Sequence, residues 1–443
     1  MVFSSLEFIF IFFPIFILTY YMMPARVKNL WLFAGSIIFY TFGSLQNPEH
    51  VVLFVLSLVF NYLVGVLLDR YPGRILCLFG IGVNLLYLGC FKYWLHVLPI
   101  GISFYTFQAI SYLCDVRMGK CRADRSFINF GTYLSMFPQL IAGPIVKYSE
   151  IREQLLSRKH NLENFAHGLQ YFVLGLGSKV ILANRIGVLW TQLSAIGYES
   201  ISTPLAWMGL LAYTFQIYFD FLGYSLMAIG LGKMLGFDIP RNFDNPYLST
   251  SMTEFWRRWH MTLGSWFREY VYIPLGGNRG SKIKVYRNLF IVWMLTGIWH
   301  GAGWNFVLWG FLLFLLIAIE KAGLKKWLDK FKLLGHFYMA AVIPLSWAVF
   351  AHNDINKMTV FFQRLLGHKI EGGIVFDGDY LKYGKEYGIY LILCLFFVTR
   401  LPQKVWAKIK ETYFGQILLV GIFVFVVYCL YIGLDNPFLY YQF

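Results

Sequence analysis

The chain has 443 residues, of which 58% are hydrophobic, 20% aromatic and only 14% charged, and its mean hydropathy is +0.57. This composition excludes a soluble globular protein and indicates a polytopic membrane protein. The formal net charge of +15 would suggest nucleic-acid binding in a soluble protein. Here the basic residues fall in short loops between apolar runs, so they indicate orientation in the bilayer and contact with anionic lipid, and we expect no nucleic-acid partner.

The cysteines give no sign of a metal or redox site. They lie mostly inside apolar segments, without a C-x-x-C pair or a metal-like spacing. We interpret them as packing residues and predict no bound metal. The six are Cys77, Cys90, Cys114, Cys121, Cys394 and Cys429.

The first apolar run, residues 5–23, predicts a retained membrane helix. It has no basic segment before it, and Pro24 follows where a signal peptide would carry small residues. Arg26 and Lys28 come next, whereas residues 43–50 contain no lysine or arginine. Because basic loops stay on the cytoplasmic side, the first loop is predicted to lie inside and the N-terminus outside.

Residues 127–147 contain Pro138, Gly143 and Pro144, so they cannot form one straight spanning helix. The pattern predicts a broken or re-entrant segment. Irregular backbone at membrane depth is tolerated only where protein buries it or where it lines a cavity.

A later helix places Gln216, Asp220 and Tyr224 on one face, since they are spaced by four residues. An acid in an apolar helix needs a partner, and Lys179 or an arginine further along the chain could form a buried ion pair with Asp220. A direct role of Asp220 and Gln216 in substrate binding is the alternative.

The stretch from Glu254 to Trp304 concentrates arginine, glycine, tryptophan and two histidines in an otherwise apolar chain. Polar and charged residues grouped in this way in a membrane protein indicate a functional site. Ser251 and Glu254 have the spacing of a capping box, which predicts the start of a helix. His260 lies at the edge of an aromatic stripe on that helix. Taken alone, a histidine in such a position is more often a packed, hydrogen-bonded residue than a catalytic one. The stripe comprises Trp256, Trp259, Leu263, Trp266, Phe267 and Tyr270.

A second histidine lies at a helix end. Residues 286–299 form a short apolar helix that ends at His300, because Gly301 and Gly303 follow. An imidazole at a helix terminus in an apolar region has its charge state set by its surroundings, which favours a functional role. Between the two histidines, the turn at residues 274–279 brings two glycines beside an arginine and could approach a phosphate.

These motifs resemble those of the bacterial membrane-bound O-acyltransferases, and specifically the branch of the alginate O-acetyltransferase membrane subunit. The turn Pro-Leu-Gly-Gly-Asn-Arg favours this branch over the related teichoic-acid D-alanyl transfer protein, which shares the Trp-His and Phe-Asp-Phe features. Leu226 departs from the branch, which often has a polar residue there. The motifs are Asn242–Tyr247, Phe255–His260, Trp266–Arg279 and Gly297–Gly301, with further agreement at Leu98–Phe104, Ala142–Pro144, Gln216–Tyr224 and Asn436–Phe443.

The resemblance implies an all-α fold in which a funnel from the cytoplasm meets an opening from the outside. Residues 1–443 would form one integral-membrane acyltransferase domain with a core block at 205–320. Segment lengths predict about eleven membrane segments, together with re-entrant and interfacial helices.

The resemblance also implies a function. The protein would take acetyl from cytoplasmic acetyl-CoA, with no bound cofactor, for O-acetylation of an extracytoplasmic polysaccharide. It would lie in the bacterial inner membrane, and an SGNH-type acetyltransferase partner would finish the transfer. D-alanyl transfer from a carrier protein to teichoic acid is the close alternative. A transporter would predict duplicated halves with broken helices, and we find no such duplication.

By the same resemblance, His300 would be the catalytic general base and His260 would assist it or position the thioester. Tryptophans would wall the tunnel, and arginines would hold the phosphates of the donor. No Gly-x-Ser-x-Gly motif is present, which argues against a conventional serine hydrolase. The tryptophans are Trp259, Trp299 and Trp304, and the arginines are Arg257, Arg258 and Arg279.

Overall fold

A computed structural model describes residues 2–95 and 97–433 of the chain. Throughout these residues the regular secondary structure is helical, without a strand, which confirms the all-α prediction. Contacts between Cα atoms divide the chain into two compact units, described separately below. The first unit comprises Met1–Gly175, Tyr224–Asn242 and Leu430–Ile432, and the second comprises Leu176–Gly223, Phe243–Cys429 and Gly433–Phe443.

The first unit is built mainly from eight helices that follow one another along the chain. They are α1 (Phe8–Met22), α2 (Lys28–Gly43), α3 (Glu49–Arg70), α4 (Arg74–Leu95), α5 (Ile102–Arg117), α6 (Phe127–Ser135), α7 (Phe137–Leu140) and α8 (Tyr148–Leu156). The long helices α9 (Leu162–Ile196) and α10 (Thr203–Met234) contribute residues to both units.

The segment at 127–147 is broken, as its prolines and glycine predict. Helix α6 ends at Ser135, α7 lasts four residues with Pro138 in its first turn, and the chain is then irregular as far as Lys147. The irregular backbone is buried inside the first unit, as expected of such backbone in a membrane protein.

The second unit contains the stretch that carries both histidines. Its further helices are α11 (Met252–Arg258), α12 (Met261–Phe267), α13 (Lys282–His300), α14 (Trp304–Lys330), α15 (Lys332–Ala351), α16 (Ile355–Leu365), α17 (Asp379–Phe397), α18 (Leu401–Ile409) and α19 (Tyr413–Tyr431). A π-helical turn, Arg268–Tyr272, directly follows α12.

Side-chain caps explain where several helices begin. Ser126, Ser251, Ser281 and Asp354 each accept a hydrogen bond from a backbone N–H in the first turn of the helix that follows. Three of these caps satisfy one of the four N–H groups that a helix leaves without an internal partner, and Asp354 satisfies two. The start of α11 at Ser251 confirms the prediction made from the capping-box spacing.

The core of the second unit is rich in tryptophan. The ring centroid of Trp309 lies 5.5 Å from that of Trp256 and 5.9 Å from that of Trp347, and the centroids of Trp259 and Trp347 lie 5.0 Å apart. Aromatic pairs at such separations stabilise a core beyond their buried area. Helices α11, α14 and α15 therefore meet in one rigid aromatic layer.

A buried ion pair joins α9 and α10 within the second unit. The Nζ atom of Lys179 lies 2.7 Å from Oδ1 of Asp220, and it also donates to Oδ1 of Asn184 at 3.0 Å. Both charged side chains are almost fully buried. The partner of Asp220 is thus Lys179, the lysine that the sequence proposed, and Lys179 lies in a π-helical turn, Ser178–Ala183.

Fewer helices are long enough to span a bilayer than the eleven segments expected from sequence. Among the described residues, seven helices are long and apolar enough, or eight if α17 and α18, bent by 75° at a short break, count as one span. The eleven predicted segments included short and broken ones, and helices such as α2 and α5 have only 16 residues, short of the ~20 that cross the hydrocarbon.

Candidate active site

A cavity of about 240 Å³ inside the second unit contains both histidines in its wall. His260 and His300 are each nearly fully buried. The cavity is lined by Thr253, Trp256, Arg257, Trp259, His260, Leu263, Gly264, Phe267, Arg268, Tyr272, Leu289, Val292, Trp293, Thr296, His300 and Ile317.

Two helical stripes supply most of this lining. On one side the lining residues between Thr253 and Arg268 recur about once per helical turn, mostly as adjacent pairs such as Trp256 and Arg257, and on the other side they recur about once per turn from Leu289 to His300. Residues at such spacing share one face of a helix. The cavity therefore lies between the α11–α12 segment and α13, and the face that each turns toward it is visible as a periodic pattern in the sequence.

His300 is the last residue of α13, where the glycines predicted the helix to end. Its Nδ1 lies 2.7 Å from the carbonyl oxygen of Thr296, one turn earlier. A carbonyl oxygen only accepts, so Nδ1 carries the proton in a neutral ring and Nε2 carries the lone pair. The ring is held between aromatic neighbours, with centroid distances of 4.8 Å to Trp299, 4.9 Å to Trp309 and 5.4 Å to Phe350.

His260 lies at a break in the helix that the aromatic stripe predicted to be continuous. Helix α11 ends at Arg258, and His260 adopts a left-handed conformation with φ 43° and ψ 54° before α12 begins. The left-handed region is uncommon for a residue with a side chain, although histidine enters it more often than most. No glycine or proline marks the break, so it has no local signal in the sequence. The ring packs edge-on against Phe221, with the centroids 4.7 Å apart.

Helix α11 has only seven residues, and three side chains fix its first turn. Ser251 caps the N–H of Glu254, and Glu254 in turn accepts from the N–H and hydroxyl of Thr250. The buried Glu320 of α14 accepts from the backbone N–H of Met252 at 2.5 Å, and from the N–H and hydroxyl of Thr253 at 2.9 and 2.7 Å. The carboxylate at the helix N-terminus also suits the helix dipole. The segment that presents His260 is therefore anchored from α14.

The arginines Arg257, Arg258, Arg268 and Arg279 take different positions relative to the cavity. Arg257 and Arg268 line the cavity, and both residues are exposed, so their guanidinium groups belong to its mouth. Arg258 instead pairs with Glu254 at 2.6 Å. Burial raises the pKa of Glu254, but the hydrogen bonds from Thr250 and the charge of Arg258 outweigh it and hold the pKa below its usual value. Arg279 lies in the exposed turn before α13 and outside the cavity lining.

The sequence singled out Arg257 but not Arg268. Arg268 lies beyond the break at His260, so helical spacing counted from Arg257 does not reach it; its place directly after Phe267 of the aromatic stripe is the signal that could have found it. Trp256 also lines the cavity; the sequence analysis placed it in the aromatic stripe but did not predict it to be a site residue. Trp293 and Thr296 are cavity residues that the sequence reasoning also missed.

The structure places the three predicted wall tryptophans differently. Trp259 lines the cavity. Trp299 is buried behind it, with its ring centroid 6.3 Å from that of His260. Trp304 is 76% exposed and is not among the described residues that line the cavity.

The two polar residues of α10 also lie outside the described lining. Asp220 is held in the ion pair with Lys179, and Gln216 is buried where it packs against Gly187 of α9. Asp220 therefore has one of the ion-pair partners predicted for it, and its role in substrate binding stays a prediction.

The cavity thus brings together two imidazoles and two arginines, and comparisons with known proteins identify the class of the chain. Residues 120–351, about half of the chain, match the MBOAT, or membrane-bound O-acyltransferase, family. The chain belongs to this family, and it is an O-acyltransferase that spans the membrane several times.

Three proteins of known name show which O-acyltransferases the chain is similar to. The chain is 39% identical over 384 residues to a probable alginate O-acetylase of Pseudomonas syringae pv. tomato, covering 80% of this chain and 73% of the relative. It is 37% identical over 420 residues to a peptidoglycan O-acetyltransferase of Helicobacter pylori, covering 82% and 77%. A teichoic acid D-alanyltransferase of Streptococcus thermophilus is more distant, at 29% over 291 residues, covering 57% and 68%.

Proposed function

We propose that the protein takes an acetyl group from acetyl-CoA on the cytoplasmic side and moves it across the bacterial cytoplasmic membrane for O-acetylation of an exported or cell-surface polysaccharide. Relatives named for O-acetylation of alginate and of peptidoglycan, which match most of the chain, support the acetyl group and the polysaccharide acceptor. The observation that carries the proposal is the shared cavity of His260 and His300, with Arg257 and Arg268 at its mouth.

His300 acts as the general base in this proposal. Its Nε2 takes the proton of the acceptor hydroxyl as the hydroxyl oxygen attacks the thioester carbonyl carbon. The C–S bond then breaks, and the coenzyme A thiolate leaves and takes up a proton. His260 assists by positioning the thioester. Since Nδ1 of His300 is hydrogen-bonded to Thr296, the ring is oriented before substrate arrives.

The size of the cavity supports a short acyl group. Its volume of about 240 Å³ is below the ~300–1,000 Å³ typical of pockets for drug-sized ligands. Trp256, Trp259 and Trp293 form an aromatic part of its wall. The guanidinium groups of Arg257 and Arg268 suit the phosphates of coenzyme A, because planar donors bind phosphate oxygens in pairs.

An extracytoplasmic acetyltransferase of the SGNH type completes the proposed pathway by passing the acetyl group to the polysaccharide. The sequence resemblance supports this partner. The acceptor hydroxyl that meets His300 would then belong to the partner, to the polysaccharide or to a carrier between them.

The test is transfer from defined donors by the purified protein in nanodiscs, together with the candidate partner and polysaccharide. We expect label from radiolabelled acetyl-CoA to reach the polysaccharide or the partner, and a D-alanyl-loaded carrier protein to give no transfer. Transfer from the D-alanyl carrier alone would overturn the acetyl proposal and assign the chain to D-alanyl transfer. Transfer from neither donor, with the protein shown to be folded, would overturn both.

A further inference from the structure

A second cavity, of about 440 Å³, lies in the second unit between α9 and α17. It shares no described lining residue with the histidine-lined cavity and is about twice its volume. The lining combines charged, amide and phenol side chains with two valines. These residues are Val180, Asn184, Arg185, Val188, Gln192, Glu386, Tyr387 and Tyr390.

One cation and one anion face this cavity from opposite helices. Arg185 of α9 and Glu386 of α17 both line it, yet no ion pair joins them in the described part of the chain. Arg185 makes only a weak contact, with Sγ of Cys429 at 3.5 Å. A guanidinium and a carboxylate that line one space without pairing are complementary to a ligand that carries both charges.

Amide and phenol side chains line the same cavity, and Oδ1 of Asn184 accepts from Nζ of Lys179. The hydroxyl of Tyr387 donates to Oε1 of Gln192 at 3.2 Å, which ties the two walls together. Tyr387 and Asn184 are buried, whereas Glu386 is exposed. The cavity thus runs from an exposed carboxylate to a buried polar floor.

The sequence of α17 has the charge pattern typical of a helix that passes from water into a membrane. The first part of the helix carries Lys382, Lys385 and Glu386, and the part from Ile389 to Phe397 is almost wholly apolar. Tyr387 and Tyr390 sit at the junction, where tyrosine is enriched because its ring is apolar and its hydroxyl is polar. Phospholipid headgroups lie at this level.

We propose that this cavity binds the headgroup of a zwitterionic aminophospholipid, with the phosphate at Arg185 and the primary ammonium at Glu386. A primary ammonium donates hydrogen bonds to the carboxylate and to nearby amide oxygens, which a trimethylated ammonium cannot do. An anionic headgroup without an ammonium would face the Glu386 carboxylate uncompensated. The inference is independent of the proposed acetyl transfer, because the two cavities share no residue.

The test is lipid retention by the full-length protein purified in mild detergent and incubated with equal amounts of phosphatidylethanolamine, phosphatidylcholine and phosphatidylglycerol. Bound lipid is counted by native mass spectrometry. Basic loops elsewhere on the chain also bind anionic lipid, so the ratio of bound phosphatidylethanolamine to phosphatidylglycerol in each variant is compared with that of wild type. We expect Glu386→Gln to lower this ratio by roughly tenfold, and Arg185→Gln to reduce retention of phosphatidylethanolamine.

Glu371→Gln is the matched control, since Glu371 is an exposed carboxylate outside this cavity. It should leave the ratio unchanged, and thermal unfolding should show that all variants are folded. Soluble glycerophosphoethanolamine should compete only weakly, because the lipid tails contribute to binding. A lipid ratio in Glu386→Gln that equals that of wild type, or displacement of the lipid by an oligosaccharide, would overturn the proposal.

Discussion

The Nδ1 atom of His300 lies 2.7 Å from the carbonyl oxygen of Thr296, so the last turn of α13 fixes both the tautomer and the direction of the ring. His352, at the end of α15, makes the same contact with the carbonyl oxygen of Ala348, also at 2.7 Å. Both histidines are buried. Only His300 of the two lines the cavity of about 240 Å³, which makes His352 a natural control for it.

Removing Arg257 or Arg268 should weaken binding of the donor more than it slows the chemistry. Because both guanidinium groups lie at the cavity mouth, Arg257→Gln and Arg268→Gln should each raise KM for acetyl-CoA by roughly tenfold with little change in kcat. Steady-state kinetics at two salt concentrations would measure this. Arg279→Gln is the comparison, and we expect a smaller effect because Arg279 is outside the lining. An unchanged KM in both cavity variants would remove the arginines from donor binding.

Two substitutions of His260 separate its backbone role from its imidazole. Asparagine tolerates the left-handed conformation, whereas alanine pays about 1–2 kcal/mol for it. We expect His260→Asn to keep near-normal thermal stability and His260→Ala to lose some. If the imidazole assists acyl transfer, both variants should lose activity by at least about tenfold. Full activity in His260→Asn would show that only the backbone geometry matters.

Glu320 should control how firmly α11 presents His260. Glu320→Ala leaves the first amides of the helix without their acceptor, at a cost of about 1–3 kcal/mol, while Glu320→Gln keeps one acceptor oxygen. We expect faster hydrogen exchange at Met252 and Thr253 and a lower kcat in Glu320→Ala, with partial recovery in Glu320→Gln. Unchanged exchange at these two amides would show that Glu320 does not anchor α11.

The pair of Lys179 and Asp220 should behave as a structural ion pair. Lys179→Met strands a buried carboxylate and should destabilise the protein by about 3–5 kcal/mol, whereas adding Asp220→Leu should restore most of that loss. Thermal unfolding and acyl transfer of both variants would be compared with wild type. A double variant that is stable but inactive would contradict the structural reading and give Asp220 a direct role.

Much of the local structure follows from short-range signals in the sequence. The side chain of Ser251 caps the N–H of Glu254 and so begins α11, and α13 ends at His300, directly before the glycines that predicted its end. Asp220 was expected to need a cation, and Lys179 was one of its named candidates. These features depend on few residues, so they can be predicted from the sequence without knowledge of the fold.

The features that the sequence did not give depend on tertiary contacts. The break at His260 has no glycine or proline to mark it, and the helix on either side is held by packing and by Glu320 from a distant helix. Arg258 and Arg268 cannot be told apart by their sequence context, but Arg258 forms an ion pair with Glu254, whereas Arg268 lines the cavity. Trp304 belongs to an aromatic motif yet is exposed, because only the fold decides which tryptophans turn inward.

The most direct test of the account compares acetyl transfer by wild type, His300→Ala and His352→Ala at matched folding and lipid content. The two substitutions remove buried histidines with the same hydrogen bond, so they should lower thermal stability alike. We predict that His300→Ala loses transfer by about 10² to 10⁴-fold and that His352→Ala keeps it within a fewfold. Equal activity in the two variants would contradict His300 as the general base.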